Sequence, residues 1–199
     1  MFIKIILHSF RYYVNSFFLS LDFLFLEIYN DSMEKDIKQT LQKNMEQFHM
    51  PRYHELPDGG LFLDQTVQLI NSYLETLEIA ELTSSMISNY VKQHYVSAPV
   101  KKLYKRDHIA YLIYIAVAKN VLSLDEIKRF IEHQMQTYDS ETAYNYFCME
   151  FENVLQYVFG NKDSLDVVGV THTDTKNILR SMIFSVSYKI HIQKYLKQM

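Results

Sequence analysis

Between Ile109 and Val117 the apolar residues Ile109, Leu112, Ile113, Ala116 and Val117 recur at steps of three, one, three and one. That is the spacing of one face of an α-helix, whereas a strand would send these side chains to both sides of a sheet. A helix so apolar needs other elements to cover it, and the sequence around it supplies further helices. Ser123-Leu-Asp-Glu126 is a capping box, in which the hydroxyl and the carboxylate each satisfy a free amide at a helix start. Leu124, Ile127, Phe130 and Ile131 then form an apolar face. Upstream, Asp64 is expected to cap a helix with Val67, Ile70, Leu74 and Leu77 on one side. Thr83 is expected to cap another, with Ile87, Tyr90 and Val91 turned inward. Residues 34–48 read as a polar helix with a narrow stripe of Ile37, Leu41, Met45 and Phe48. Two closing helices follow. Ser140 precedes one that carries Phe147, Phe151, Val154, Leu155 and Val158 and stops near Gly160 and Asn161. Asp174 is expected to cap the other, with Ile178, Met182, Ile183, Val186 and Ile190 in a stripe, and Lys194 and Lys197 at the negative end of its dipole. The expected fold is mainly α. The one candidate hairpin spans Val96 to Tyr104, with Pro99 and Lys101 near its turn.

Domain boundaries follow from where the chain-breaking residues gather. The segment Pro51 to Gly60 holds two of the three prolines and two of the four glycines, so residues 33–60 read as a helix plus linker. Residues 61–135 are the expected central domain and residues 136–199 a C-terminal helical region. Residues 1–32 are rich in Phe, Leu, Ile and Tyr, but the uncharged stretch between Arg11 and Asp22 is far shorter than a bilayer span. Asn15, Ser16 and Asp22 also spoil a secretory signal. The natural chain is expected to begin at Met33, with a packed amphipathic helix and a membrane anchor as the alternatives; no membrane partner is expected. An apolar share of 48% with 15% aromatics is that of a folding chain. Cys148, the sole cysteine, rules out an intramolecular disulfide and a multi-cysteine metal site. It is expected to be a buried, inert thiol in a cytoplasmic protein.

Charge is unevenly placed. The chain totals −3, yet residues 33–81 sum to −5 and residues 82–135 to +4. From Ser84 to Arg106 the sequence holds Lys92, Lys101, Lys102, Lys105 and Arg106 and no acidic residue, an arrangement suited to a polyanion. On the helix that begins at Thr83, Ser85, Ser88, Asn89 and Lys92 fall on the side opposite Ile87, Tyr90 and Val91. A helix that enters the major groove of DNA needs such a pair of faces, one for docking and one of short polar and basic side chains. Lys101 and Lys102 near the hairpin tip, with Lys105 and Arg106 after it, would neutralise phosphates.

Met86-Ile-Ser-Asn-Tyr-Val91, Pro99, Leu103-Tyr-Lys-Arg-Asp-His-Ile109 and Leu122-Ser-Leu-Asp-Glu-Ile127 occur in the order found in MerR-type transcription regulators. The stretch 56–135 resembles their winged-helix DNA-binding domain. It is also similar to an uncharacterised bacterial domain family of unknown function that places a Leu-Pro-Asp approach, here Leu56-Pro57-Asp58, before such a core. The resemblance implies a winged helix-turn-helix core of four helices plus a short β-wing, with additional N- and C-terminal helices. It also implies that the partner is double-stranded DNA. The chain departs from the MerR pattern in three places. Ser88-Asn89-Tyr90 stands where the family has Arg-Tyr-Tyr, the wing is shorter, and Lys105 takes the place of the usual Ser cap. No long coiled-coil helix and no effector-binding cysteines are evident, so metal sensing is not expected.

No phosphate loop, nucleophile elbow, zinc-binding His pair or dinucleotide fingerprint is present, and no enzymatic activity, cofactor or metal is expected. His94 and His108 are expected to be surface or supporting polar groups beside the wing, and His172 with Asp174 to belong to an exposed loop and a helix cap. The aromatic set Tyr144, Tyr146, Phe147, Phe151, Tyr157 and Phe159 is read first as core or dimer face. Its further reading is a site for a small apolar effector. The expected function is that of a dimeric DNA-binding transcription regulator, with dimerisation through residues 140–197. The alternative is a non-enzymatic helical module whose winged helix docks a protein.

Overall fold

The computed structural model describes residues 32–169 and 173–199, and the expectations that concern residues 1–31 and His172 lie outside them. The chain divides into two compact units, Met1–Thr40 and Leu41–Met199. The described part of the first, residues 32–40, is helical and exposed apart from the half-buried Ile37. The second unit opens with helical residues 41–46, and the helical stretch 32–46 is α1.

In the second unit Leu41, Met45, Phe48 and Met50 are buried ahead of a short 3-10 turn at Tyr53–Glu55. Then come α2 (Leu63–Leu74), a 3-10 turn at Glu75–Leu77, α3 (Ser84–Lys92), α4 (Arg106–Ala118), α5 (Leu124–Gln134), α6 (Ser140–Val158) and α7 (Asp174–Gln198). The mainly helical expectation holds. α4 is the axis of the unit: from His108 to Ala118 every residue but Tyr111 is buried, and the helix packs on α2, α5, α6 and α7. The five-residue stripe read from the sequence is therefore only part of an almost wholly apolar cylinder, as befits a helix enclosed on all sides. α6 and α7 form the most extensive helix pair, built on Phe147, Phe151, Val154 and Leu155 from one and Leu179, Met182, Ile183, Val186 and Ile190 from the other. Ile178, expected in that stripe, is exposed instead.

The helix starts follow local chemistry. Thr83 Oγ1 accepts the amide of Met86 at 3.2 Å, and Ser123 and Glu126 close their box from both sides, at 3.3 and 2.8 Å. Two expected caps shift by one or two residues. Phe62 and Thr173 are the cap residues of α2 and α7, leaving Asp64 and Asp174 in the first turns, where a carboxylate still meets the positive end of the helix dipole. Phe62 has no capping side chain, and Gln65 compensates by accepting its backbone amide at 3.1 Å.

The expected β-wing is reduced. Among the described residues there is no strand, only two isolated bridges, Val100 with Leu103 and Leu61 with Tyr104. Val100 and Leu103 exchange both backbone hydrogen bonds, at 3.2 and 3.0 Å, around a two-residue turn of Lys101 and Lys102. The physical reason is length. Pro99 lacks an amide donor on one side and the first turn of α4 begins at Arg106 on the other, so no residues remain to extend a ladder. The turn is anchored by Leu61, which pairs with Tyr104 through two backbone bonds of 2.9 and 2.8 Å. Gly60 makes this approach possible. Its φ is +80°, and a Cβ there would stand 3.0 Å from Leu103 Cβ.

Two ionic clamps hold α7. Arg180 donates to Glu150 of α6, a carboxylate with no solvent exposure of its own, and Lys194 and Lys197 converge on Glu78. Among the described residues, no helix is long and apolar enough to cross a membrane.

Candidate functional site

α3 is placed by α2. The Asn71 amide grips the connecting segment in both directions, donating to the Leu82 carbonyl and accepting the Leu82 amide, each at 2.9 Å. Ser84 Oγ donates to Asp64 Oδ1 at 2.6 Å, so the first turns of the two helices are tied as well. Leu82, Ile87 and Tyr90 are buried beneath this junction. The link from α2 to α3 runs through residues 75–83 and includes the 3-10 turn and Glu78 at φ 54°, which is longer than the tight turn of a minimal helix-turn-helix. Asn71 was not legible as a positioning residue, because nothing local distinguishes it from a solvent-facing helical Asn.

The outward face of α3 is the one read from the sequence. Ser85, Ser88, Asn89 and Lys92 are exposed. Ser88 Oγ donates to the Ser84 carbonyl at 2.8 Å, which leaves its lone pairs outward, and Asn89 Oδ1 accepts from Gln93 at 3.2 Å, which leaves its NH₂ group to donate. α3 ends at Lys92 with Gln93 as its cap, and the next residue, His94, is exposed at φ 59° while the Tyr95 amide returns to the Tyr90 carbonyl at 2.9 Å.

Lys101 and Lys102 form the tip of the following turn, both exposed, with φ of 52° and 67°. Two successive left-handed residues with reciprocal closing bonds make the kind of turn in which Asn-Gly is preferred. Lysine there carries backbone strain that Asn or Gly would not. Lys92, Lys101, Lys102 and Lys105 make no ion pair with a described residue.

Lys105 and Arg106 part company. Lys105 is exposed at the cap of α4, its amide donating to His108 Nδ1 at 3.2 Å. Arg106 is turned back toward the linker. It donates from Nε to the Leu56 carbonyl at 3.0 Å, lies 3.7 Å from Asp58 and stacks 5.5 Å from the Tyr53 ring centre. It therefore holds the linker against α4 rather than extending the cationic ridge. His108 is buried, so of the two roles expected for it, surface or supporting, it has the supporting one. Accepting at Nδ1 fixes its proton on Nε2, which faces Ser97 Oγ at 3.2 Å.

Cys148 is buried with its thiol 3.6 Å from the Pro51 carbonyl, and burial pushes its pKa up to about 12. With so little thiolate, on the order of one part in ten thousand at pH 8, it should resist iodoacetamide for hours in the folded protein. The slow rate should rise about tenfold per pH unit from pH 7 to 9 without a plateau, and mass spectrometry after denaturation should show a single adduct. Of the aromatic set on α6, Phe147 and Phe151 stack at 5.7 Å in the core, Phe159 is buried, Tyr157 is partly exposed, and Tyr144 and Phe147 also border a cavity. Among the described residues, no cluster of His, Cys, Asp and Glu could hold a metal ion.

No curated protein and no solved structure matches this chain. Residues 51–147, the stretch from the linker through α5 and into α6, match a family model described only as a domain of unknown function, DUF1836.

Proposed function

We propose that the protein binds duplex DNA through α3 and the Val100–Leu103 turn, as a regulator of MerR-like winged-helix type, and that it does so as a cytoplasmic homodimer. The observation that carries this reading is the pair Lys101–Lys102, held at the tip of a left-handed turn with no acidic partner among the described residues. The exposed Ser85, Ser88, Asn89 and Lys92 on the preceding helix support it, since hydroxyl and amide groups suit base edges and phosphates while lysines neutralise phosphate. Arg106 leaves the contact set on this reading, because its guanidinium is engaged with Leu56, Asp58 and Tyr53. The test is fluorescence anisotropy with duplex DNA across a salt series. Four phosphate contacts per protomer, from Lys92, Lys101, Lys102 and Lys105, should give a slope in log K against log salt of about −3.6 per protomer and about −7.2 for the dimer on both half-sites. Two half-sites one helical turn apart call for two copies per duplex, which light scattering of the complex should report. A salt-insensitive or absent interaction overturns the reading.

The second reading is a module in which α3 and the turn dock a protein. The brevity of the turn favours it, because a two-residue tip reaches less far along a duplex backbone than a full wing.

A further inference from the structure

A cavity of about 350 Å³ lies among α4, the end of α5, the start of α6 and the connector Tyr95–Ser97. Six aromatic rings contribute to its walls: Tyr95, Tyr111, Tyr114, Tyr138, Tyr144 and Phe147. Protein interiors leave few such spaces, and those that persist with polar groups converging on them are ligand sites by default.

Three polar groups on this cavity stand without partners. The Gln134 side chain is 9% exposed and makes no hydrogen bond with a described residue, and the same holds for the hydroxyl of Tyr114, which is 7% exposed. The Tyr144 hydroxyl is buried with no nitrogen or oxygen partner and lies beside the weakly polar Cys148 thiol. Buried polar groups are almost always satisfied, so the wholly buried Tyr144 hydroxyl calls for a guest, and Gln134 and Tyr114, whose polar atoms keep some solvent access, offer that guest further hydrogen bonds. Burial holds the phenols of Tyr111, Tyr114 and Tyr144 neutral, Tyr111 at about 12 and the other two higher still. The charged lining residues are Asp107 and Asp139, with no Lys or Arg.

We infer that this cavity binds a flat aromatic molecule that is uncharged or cationic, stacked among the tyrosine rings and hydrogen-bonded to the Gln134 amide. An anionic ring of the same shape is rejected, since no cation offsets the desolvation of its charge. This inference stands apart from the DNA reading.

Two dyes that share a ring system separate the outcomes. N-phenyl-1-naphthylamine is uncharged, and 8-anilino-1-naphthalenesulfonate adds a sulfonate. The uncharged dye should show a saturable rise in fluorescence at one site per chain, and the sulfonate should bind at least about tenfold more weakly. Ala143, on the lining, offers a steric block: Ala143→Phe should abolish the signal of the uncharged dye. Gln134→Leu keeps the volume but removes the amide, and should weaken binding about fivefold. Should Ala143→Phe fail to fold, the Gln134→Leu variant and the dye pair still decide. No saturable binding of the uncharged dye, equal affinity for both dyes, or undiminished binding in a folded variant would overturn the inference.

Discussion

Replacing Lys101 and Lys102 together by Glu is expected to weaken each protomer's binding to duplex DNA by about 100-fold at 0.1 M salt and to reduce the steepness of the salt dependence by about 1.8 per protomer. Each phosphate contact contributes about 0.9 to the slope, so two lost contacts account for roughly 60-fold at that salt concentration, and the introduced negative charges add to it. Stability should hardly change, because both side chains are exposed and make no ion pair with a described residue. A sharper variant uses the backbone. Since φ is 52° at position 101 and 67° at 102, the pair Lys101→Asn with Lys102→Gly should relieve turn strain and raise stability by about 1 kcal/mol. The same pair should cost DNA affinity through the lost charge. Opposite movements of melting temperature and affinity are what a turn strained for the sake of its lysines must show. Unchanged DNA affinity in both variants would remove the turn from the interface.

The second large effect concerns the α6–α7 pair. Arg180→Met is expected to destabilise the protein by about 3 kcal/mol, a fall in melting temperature of roughly 10 °C. Glu150 is wholly buried, its Oε1 is held by Arg180, and its Oε2 has no partner. Removing the guanidinium leaves a carboxylate out of water with nothing to offset its desolvation. Arg180 is partly exposed, so the effect belongs at the lower end of what breaking a buried pair costs. The double variant Arg180→Met with Glu150→Met should recover most of the loss, because an apolar pair of similar volume carries no desolvation penalty. Thermal melts of the two variants decide this. A single variant as stable as the parent would show that Glu150 is not the isolated charge its surroundings indicate.

Local rules made much of the helical framework readable. Thr83, and Ser123 with Glu126, cap where their sequence says, since a cap depends on residues within one turn. The polar face of α3 was readable for the same reason, as helical spacing alone puts Ser85, Ser88, Asn89 and Lys92 together. The cationic run was less so. Lys105 and Arg106 are neighbours in sequence, yet one is exposed and the other is drawn to Leu56 and Asp58, groups about fifty positions away. No pattern within a turn or two carries that information.

What the amino-acid order settled unaided was the mainly helical character, several helix starts, and which side chains of α3 face away from its buried residues. These depend on backbone geometry that repeats every few residues. Only the tertiary structure reduced the wing to a two-residue turn and set Asn71 as a clamp. It alone enclosed His108, paired Arg180 with a buried Glu150, and gathered Tyr114, Gln134 and Tyr144 around one cavity. Those outcomes depend on which helices meet and at what distance, a property of long-range packing that no local period encodes.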